Sequence, residues 1–265
     1  MLIPLYDSNA KHRIPFQYVT VAIIAVCVMV FLWQQALGAE DGGRAVYGLG
    51  AIPAVLFGNR DLPTELAMIP TYATLVTSMF LHGGWMHLIG NMVFLWVLGD
   101  NVEDAMGHAR YVAFYLICGI AAAFAHAALA PQSTVPMIGA SGAISGVIGA
   151  YLLLHPRASI HVLVGYFVVG LPAWIVLGFW IGLQVLNLAT GGGGGVAWWA
   201  HLGGILAGVI LVPFFKHHDV PLFSGVTATP PGTSARSRPR PKGPKGIRIT
   251  RVARNPSNPR KGPWG

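Results

Sequence analysis

The chain has 265 residues, of which 54% are hydrophobic and only 10% are charged, whereas soluble domains carry about 25% charged residues. This composition excludes an ordinary soluble protein and predicts an integral membrane protein. The formal net charge of +8 is unevenly distributed, because 11 of the 17 Lys and Arg residues lie at or after Lys216. The basic excess therefore belongs to the C-terminal tail, and the part of the chain before it is nearly neutral.

The apolar runs of the sequence predict six membrane-spanning helices. We expect them at about 17–37, 85–98, 111–129, 141–155, 173–188 and 196–215. The long connection at 38–82 carries apolar patches and should lie partly in the membrane interface. An apolar segment at 160–172 leads into the fifth span, and the glycine run at 191–195 predicts a flexible loop. The expected fold is an all-α membrane bundle over residues 17–216.

The segments outside the bundle predict its orientation. Residues 1–16 form a short polar segment with Lys11 and Arg13 just before the first span, which places the N-terminus in the cytoplasm. Six spans then place the C-terminus on the same side. Residues 217–265 are rich in Pro, Gly, Ser and Arg and have little to bury, so this tail should be disordered. The tail is a candidate for contact with anionic lipid, although a solvated tail that enforces orientation is the simpler interpretation. No nucleic-acid partner is expected.

Polar residues inside a membrane span are costly and tend to mark function, and four of those in the predicted spans are candidate site residues. His87 and Asn91 are four residues apart and so share one face of the second span. Ser141 begins the fourth span, and His201 lies in the sixth. The predicted topology brings all four to a similar depth, in the non-cytoplasmic half of the membrane.

These four residues have the chemistry of an acyl-transfer site. Ser141 is a candidate nucleophile, and His201 a candidate base that takes its proton and returns it to a leaving amine. His87, Asn91 and the backbone N–H of Ser141 are candidate donors to an oxyanion. No acidic residue in a span is placed to orient His201, so the sequence favours a Ser-His dyad over a Ser-His-Asp triad.

Each of these residues also has a structural interpretation. The small residues around Ser141, such as Gly142, let membrane helices pack closely. His201 alone is typical of a ring that bonds a neighbouring carbonyl or water, and Asn91 of a bridge between two helices. His82, His87 and His201 are candidate metal ligands, but no thiolate or carboxylate stands at ligand spacing, so we expect no metal. Cys27 and Cys118 lie in apolar runs and should be packing residues.

Three motifs, in this order, resemble the rhomboid family of intramembrane serine proteases over roughly residues 17–215. Residues 139–142 match its G-x-S-G nucleophile motif, and residues 82–91 match its H-x-x-x-x-H-x-x-x-N segment. Residues 200–208 match its A-H-x-x-G-x-x-x-G segment. The sequence around Glu103 also resembles the family after its second span, where the Glu is usually structural.

The resemblance implies a six-helix fold with a water-filled cavity that opens to the non-cytoplasmic side. It implies that Ser141 is the nucleophile, His201 the base, and His87 and Asn91 oxyanion donors. Five further residues would support the site, namely Gly139, Gly142, His82, Gly204 and Gly208. The fifth span would be a side gate and the glycine run 191–195 part of a cap over the cavity. No cofactor is implied.

The chain departs from some relatives at two places. Ser145 stands where some of them carry an aromatic residue beneath the histidine, so the support of the His201 ring is in question. No Trp occurs between Trp33 and Trp85, so the first long loop lacks the Trp-Arg pair of some relatives.

The predicted function is hydrolysis of peptide bonds in or near transmembrane segments of other membrane proteins, at or near small residues. The partners would be those proteins and the lipid bilayer. An inactive rhomboid-like module that binds client helices is the alternative. A transporter is disfavoured, because no charged residue lies in the interior of the predicted spans. The small six-span form and the lack of a transit peptide favour the plasma membrane of a prokaryote.

Overall fold

The structure is a computed structural model that describes residues 3–191 and 196–224. These residues are mostly helical. Two 3₁₀ turns occur, at Thr71–Ala73 and Ser78–Phe80. The other elements, in chain order, are β1 (Ile3–Asp7), α1 (Tyr18–Ala36), α2 (Gly38–Leu49), α3 (Pro53–Leu56), α4 (Thr74–Thr77), α5 (Trp85–Met106), α6 (His108–Leu129), α7 (Ser141–Leu154), β2 (Ser159–Val164), β3 (Phe167–Pro172), α8 (Ala173–Ala189) and α9 (Trp198–Phe215).

The chain is a multi-pass membrane protein. Three of the described helices, α1, α6 and α9, are long and apolar enough to cross a membrane. A fourth span results if residues 71–80 and α5, which meet at 81°, are counted together. Helices α7 and α8 are apolar but have only 14 and 17 residues. Six crossings therefore remain a prediction, although each predicted span coincides with a helix.

The helix that contains the second predicted span is longer than that span. We placed its end at Leu98, but α5 continues to Met106 and carries Asp100, Glu103 and Asp104 on its last turns. These carboxylates accept hydrogen bonds from backbone N–H groups, as described below, and are therefore accommodated in a helix rather than in a loop. Their charge alone made the segment look like a connection.

The expectation of helices alone missed a three-stranded antiparallel sheet with the order β1-β2-β3. Strand β2 pairs with β1, as in Ile3 opposite Leu163, and with β3, as in Ser159 opposite Pro172. Its residues alternate, so that Ile160 and Val162 are fully buried while their neighbours are not. The strands come from the segments 1–16 and 160–172, which the sequence presented as a polar leader and an apolar run. Neither segment shows by itself that it has a partner.

Helix α7 lies at the centre of the bundle. Ten of its 14 residues are buried, and it packs against α5, α6 and α9. Helix α9 approaches it through glycines, because a Cβ atom on Gly204 or Gly208 would fall on the backbone of Gly142 or Gly146. Small residues of this kind let membrane helices pack with their backbones in contact. The backbones of α7 and α9 are consequently fixed relative to each other.

The end of the bundle where α5 terminates is held together by carboxylates that accept hydrogen bonds from backbone N–H groups. Glu103 is fully buried and accepts hydrogen bonds from the N–H groups of Val19 and Thr20, at 3.0 and 2.9 Å, and from the Thr20 hydroxyl at 2.7 Å. Asp104 accepts from the N–H groups of residues 12–14 at 2.7–3.0 Å. The first turn of a helix leaves its N–H groups without partners. These carboxylates therefore join the start of α1 to the end of α5.

Asp7, at the end of β1, joins the sheet to the same end of the bundle. Its carboxylate accepts hydrogen bonds from the Tyr151 hydroxyl and from the Asn101 side-chain amide, the latter at 2.7 Å. Burial raises the pKa of Asp7 from its ordinary value of 3.8 to about 7, and the nearby Asp100 adds to this rise. The Nζ of Lys11 lies 3.5 Å from the Oδ2 of Asp100, so these two side chains form an ion pair beside Asp7.

The first residues of the predicted tail are packed against helix ends. The N–H of His217 donates to the carbonyl of Ala105 at 2.8 Å, and the N–H of Ser224 donates to that of Leu154 at 3.0 Å. The remaining tail, from residue 225 to residue 265, lies outside the described residues, as do residues 192–195 of the predicted glycine-rich cap.

Replacing Gly208 with Ala should destabilise the bundle. The new methyl group meets the backbone of Gly146, which cannot rotate away, and overpacking of this kind costs about 1–3 kcal/mol. Gly182→Ala on α8 is the matched control, because a Cβ atom there meets nothing within 4 Å. We expect a lower Tm in detergent for Gly208→Ala and an unchanged or slightly higher Tm for Gly182→Ala. Equal Tm values for the two variants would contradict the close approach of α7 and α9.

The stability of the protein should depend on the protonation of Asp7. The unfolded chain loses this proton near pH 4 and the folded chain near pH 7, so the free energy of unfolding falls as the pH rises between these values. We expect Asp7→Asn to raise Tm at pH 8, by about 2–4 °C per kcal/mol gained, and to leave it nearly unchanged at about pH 3, below both pKa values. Asp41→Asn, at an exposed site beside Arg44, should change Tm at neither pH. Parallel Tm curves for Asp7→Asn and the wild type would refute this assignment.

Candidate active site

Ser141 is the first residue of α7 and faces His201 on α9. The distance between the Ser141 Oγ and the His201 Nε2 is 2.9 Å, which is a hydrogen bond. The preceding Gly139 has a φ of +120°, a conformation that L residues rarely adopt, and its N–H donates to the Ser78 carbonyl at 2.8 Å. This turn directs the chain into the start of α7, where the first N–H groups have no intrahelical partner.

His201 is 7% exposed and is held on three sides. Its Nδ1 lies 2.8 Å from the Oε1 of Gln184 on α8. The rings of Trp180 and Trp198 flank it, with centroids 5.7 and 5.9 Å from the imidazole centroid. The ring is therefore supported by α8 and by its own helix.

Ser145 does not leave a gap beneath His201. Its side chain is fully buried, and its hydroxyl donates to the carbonyl of Ser141 at 2.6 Å. A Cβ atom on Gly204 would lie 2.9 Å from the Cβ of Ser145, so the two helices are already in contact there. The two tryptophans support the imidazole from other directions, which answers the question that the sequence raised at this position.

His87 and Asn91 occupy the first turns of α5, close to Gly139. The His87 Nδ1 accepts a hydrogen bond from the Gly83 N–H at 3.4 Å, so in the neutral ring the proton is carried by Nε2. A Cβ atom on Gly139 would lie only 2.7 Å from that Nε2. Asn91 is 7% exposed, and its amide donates to the His87 carbonyl at 3.0 Å. His87 is thus presented to the site, while Asn91 lies one turn farther in.

His82 lies in the turn before α5, and its backbone is fastened to α1. The amide of Gln34 accepts from the His82 N–H at 3.0 Å and donates to the His82 carbonyl at 3.4 Å. The His82 Nδ1 donates to the Phe80 carbonyl at 3.2 Å, and its ring contacts that of His87 at a centroid distance of 5.2 Å. His82 therefore belongs to the frame of the site.

A cavity of about 720 Å³ lies against these residues. Ser141, His201 and His87 contribute to its wall, and much of the remainder consists of glycine and alanine residues. The small lining residues include Gly119, Ala122, Ala123, Gly142, Ala143, Ala197 and Ala200. The cavity thus combines a hydroxyl and an imidazole in hydrogen-bond contact with a wall that leaves room for another chain.

The polar residues missed in the sequence are two glutamines. Gln184 touches His201 and Gln34 holds His82, and both are buried within apolar helices. The rule that selected the four candidate residues, a polar side chain in a span, applies equally to them. Within residues 3–191 and 196–224, no three His, Cys, Asp or Glu side chains come together in a way that could hold a metal ion.

The family model of the Rhomboid domain matches residues 70–217, more than half of the chain. The chain belongs to the rhomboid family. All three motifs described above, at 82–91, 139–142 and 200–208, lie within the matched residues. The helical membrane fold of this rhomboid agrees with that assignment.

Several rhomboid relatives are similar to this chain. "Rhomboid protease GluP" of Bacillus subtilis is 27% identical over 191 residues, which cover 71% of this chain and 33% of that protein. "RHOMBOID-like protein 5" of Arabidopsis thaliana is 33% identical over 137 residues, or 52% of this chain and 42% of the relative. "Rhomboid protein 1, mitochondrial" of Saccharomyces cerevisiae is 29% identical over 185 residues, or 62% and 51%. This rhomboid thus spans about a third to a half of the length of these relatives.

Replacing Ser145 with Ala should leave the bundle intact. The change removes one hydrogen bond, worth about 1 kcal/mol, and Tm should fall by no more than about 2–4 °C. Ser145→Phe, by contrast, forces a ring between α7 and α9 and should lower Tm well beyond that. Thermal unfolding in detergent measures both values. A smaller loss of Tm in the Phe variant would mean that the helices leave a gap at this position.

Proposed function

We propose that this rhomboid is an intramembrane serine endopeptidase that hydrolyses peptide bonds in or next to transmembrane segments of other membrane proteins. The observation that carries the proposal is the 2.9 Å distance between the Ser141 Oγ and the His201 Nε2 on the wall of a cavity in a membrane bundle. A hydroxyl becomes a useful nucleophile when a base lies within hydrogen-bond reach. The word "protease" in the name of the Bacillus subtilis relative is consistent with this chemistry.

In the acylation step, the Ser141 Oγ attacks the carbonyl carbon of the scissile peptide bond. Its proton passes to the Nε2 of His201, and the carbonyl oxygen becomes an oxyanion. When the C–N bond breaks, His201 returns the proton to the leaving amine, and an ester links the substrate to Ser141. Two residues therefore provide both the nucleophile and the acid-base group, and no cofactor enters the mechanism.

Three kinds of donor are available to the oxyanion. His87 has its Nε2–H near Gly139, and the N–H of Ser141 lies in the first turn of α7. One Asn91 amide hydrogen is used by the His87 carbonyl, which leaves the other for the site. The start of α7 also favours developing negative charge through the helix dipole. Removing one such donor in a serine protease typically lowers kcat by about 10²–10³.

In the deacylation step, His201 takes a proton from a water molecule that attacks the Ser141 ester. The second tetrahedral intermediate uses the same oxyanion donors, and His201 then protonates the Ser141 Oγ as the ester bond breaks. The cavity has room for that water, since its volume of about 720 Å³ far exceeds the roughly 30 Å³ that one water occupies.

The substrates we propose are single-pass or multi-pass membrane proteins that reach the site from the lipid bilayer. The wall beside Ser141 is built from residues such as Gly119 and Ala122 and leaves room for a substrate chain, and the proposal of cleavage at or near small residues follows from the rhomboid family. We further propose six crossings, with both termini cytoplasmic and the cavity opening to the other side. Lys11 and Arg13 support this orientation, because they lie at the end of the bundle opposite Ser141.

We propose the plasma membrane of a prokaryote as the location. The relatives named above include a mitochondrial protein as well as a bacterial one and do not fix the compartment. The proposal therefore rests on the small form with six predicted spans. A role for the basic tail, such as contact with anionic lipid, belongs to the same proposal.

Labelling with a fluorophosphonate probe in detergent tests the dyad. We expect wild-type protein to be labelled, Ser141→Ala not at all, and His201→Ala at a rate lower by about 10²–10⁴, the usual contribution of a general base. Ser145→Ala is the matched serine control, one turn along the same helix, and should label at nearly the wild-type rate.

The outcomes separate the two functions. Label on the wild type that is lost only with Ser141 and His201 supports the protease. Label that persists in a folded Ser141→Ala variant refutes Ser141 as the nucleophile. A folded wild type that neither labels nor cleaves a membrane substrate favours the alternative, an inactive module that binds client helices.

A further inference from the structure

Gln184 is the polar exception on the buried face of α8. Only four residues of this helix are buried, and the other three are Ala173, Val176 and Leu177. Gln184 is 5% exposed. A buried amide without partners costs about 1–3 kcal/mol, so a glutamine in this position needs hydrogen bonds on both of its ends. It has one on each end.

The orientation of the Gln184 amide is fixed by its own helix. Its Nε2 donates to the carbonyl of Trp180 at 3.1 Å. A carbonyl oxygen only accepts hydrogen bonds, so the NH₂ end of the amide must face Trp180. The oxygen end then faces the Nδ1 of His201, at 2.8 Å.

This orientation dictates where the His201 proton lies. An amide oxygen only accepts, so the Nδ1 of His201 must carry the hydrogen. In the neutral imidazole the free lone pair is then on Nε2, and Nε2 is the atom that lies 2.9 Å from the Ser141 Oγ. The opposite tautomer would present an N–H to the serine and could not accept its proton.

We propose that Gln184 is a positioning residue that holds His201 in the tautomer able to deprotonate Ser141. This inference rests on the proposed function and adds a third residue to the dyad. In Ser-His-Asp sites a carboxylate performs this task. An amide oxygen does it without a charge, which suits a helix that is otherwise apolar, since an ionised group in that position carries a large desolvation cost.

The arrangement also serves the charged form of His201. When the imidazole takes the Ser141 proton, both ring nitrogens carry hydrogen, and the Gln184 oxygen continues to accept from Nδ1. The bond is therefore kept through the reaction, and only the bond at Nε2 changes partner. Among the described residues, the titratable side chains that act electrostatically on His201 are His87 on α5 and His126 on α6, and neither takes part in this bond.

A packing role for Gln184 predicts different behaviour. The imidazole is already flanked by Trp180 and Trp198, so a residue of similar volume at 184 would keep the ring in place. Under a packing role, Gln184→Leu would alter Tm and leave the chemistry of His201 unchanged. Under a positioning role, the reactivity of Ser141 and its pH dependence must both change.

The experiment measures the rate of fluorophosphonate labelling of the full chain in detergent from pH 5 to pH 9. We expect Gln184→Leu to lower the rate by about tenfold to hundredfold, which is less than the 10²–10⁴ that a general base usually contributes, because His201 itself is still present. We expect Gln184→Glu to label well at high pH but to lose its rate at a higher pH than the wild type, because a carboxylate at Nδ1 stabilises the imidazolium.

Asn187→Leu is the matched control. Asn187 lies about one turn along the same helix and makes the same kind of bond, from its amide to the carbonyl of Leu183 at 2.7 Å. It has no contact with His201 among those that the described residues make, so its labelling rate should stay within about twofold of the wild type.

A second readout does not depend on activity. In protein labelled with ¹⁵N-histidine, the His201 signals are identified by their loss in His201→Ala. The two ring nitrogens should report the Nδ1–H tautomer in the wild type and a mixture of tautomers in Gln184→Leu.

The results distinguish the two proposals. A folded wild type that is not labelled defeats the proposed function, and the nitrogen shifts then still test the tautomer. A labelled wild type with unchanged rate and pH profile in both Gln184 variants overturns the positioning role. If Gln184→Leu does not fold, the Gln184→Glu profile decides, since glutamate has nearly the same shape. If the labelling rate of Gln184→Glu falls at the same acidic pH as that of the wild type, the proposal is refuted.

Discussion

The contact between α7 and α9 is the interaction on which the site depends. Gly204 and Gly208 rest on the backbone of α7, so the distance between the two helices is set by main-chain atoms rather than by flexible side chains. Ser141 precedes the contacting Gly142 by one residue, and His201 precedes Gly204 by one turn. A shift of either helix would separate Ser141 from His201. Close packing through glycine is well suited to a membrane, where lipid chains provide little hydrophobic drive between helices.

The two ends of the bundle use different polar chemistry. At the site, the groups in contact with Ser141 and His201 are neutral, and each hydrogen bond joins a donor to an acceptor without an ion. At the other end, Glu103 and Asp104 satisfy the free N–H groups of the N-terminal segment and of α1. The carboxylates therefore hold α1 and α5 together, while the end that carries Ser141 and His201 combines a few neutral polar groups with apolar helices.

The long helices were predictable because hydrophobicity and length are local properties of a sequence. The first span was expected at 17–37 and α1 is Tyr18–Ala36, and the fifth was expected at 173–188 and α8 is Ala173–Ala189. The second was expected to end at Leu98 and α5 continues to Met106, because the carboxylates that follow Leu98 indicate a solvent-exposed loop until their hydrogen-bond partners are known. The sheet was missed because pairing between distant strands is not a local property of the sequence. Strands β1 and β2 are about 150 residues apart in the chain, and neither sequence indicates its partner.

By itself, the sequence determined that this protein lies in a membrane and that Ser141, His201, His87 and Asn91 are its candidate site residues. It could do so because the spacing of motifs and the helical repeat are local properties of the sequence. Only the tertiary structure decided that Gln184 faces His201 and that two tryptophans flank the imidazole. Those contacts join α8 to α9, and the direction of an amide depends on the carbonyl of Trp180 that it meets in the folded chain. The sequence determines which polar side chains the protein contains, whereas the packing of its helices determines which atoms of those side chains form hydrogen bonds.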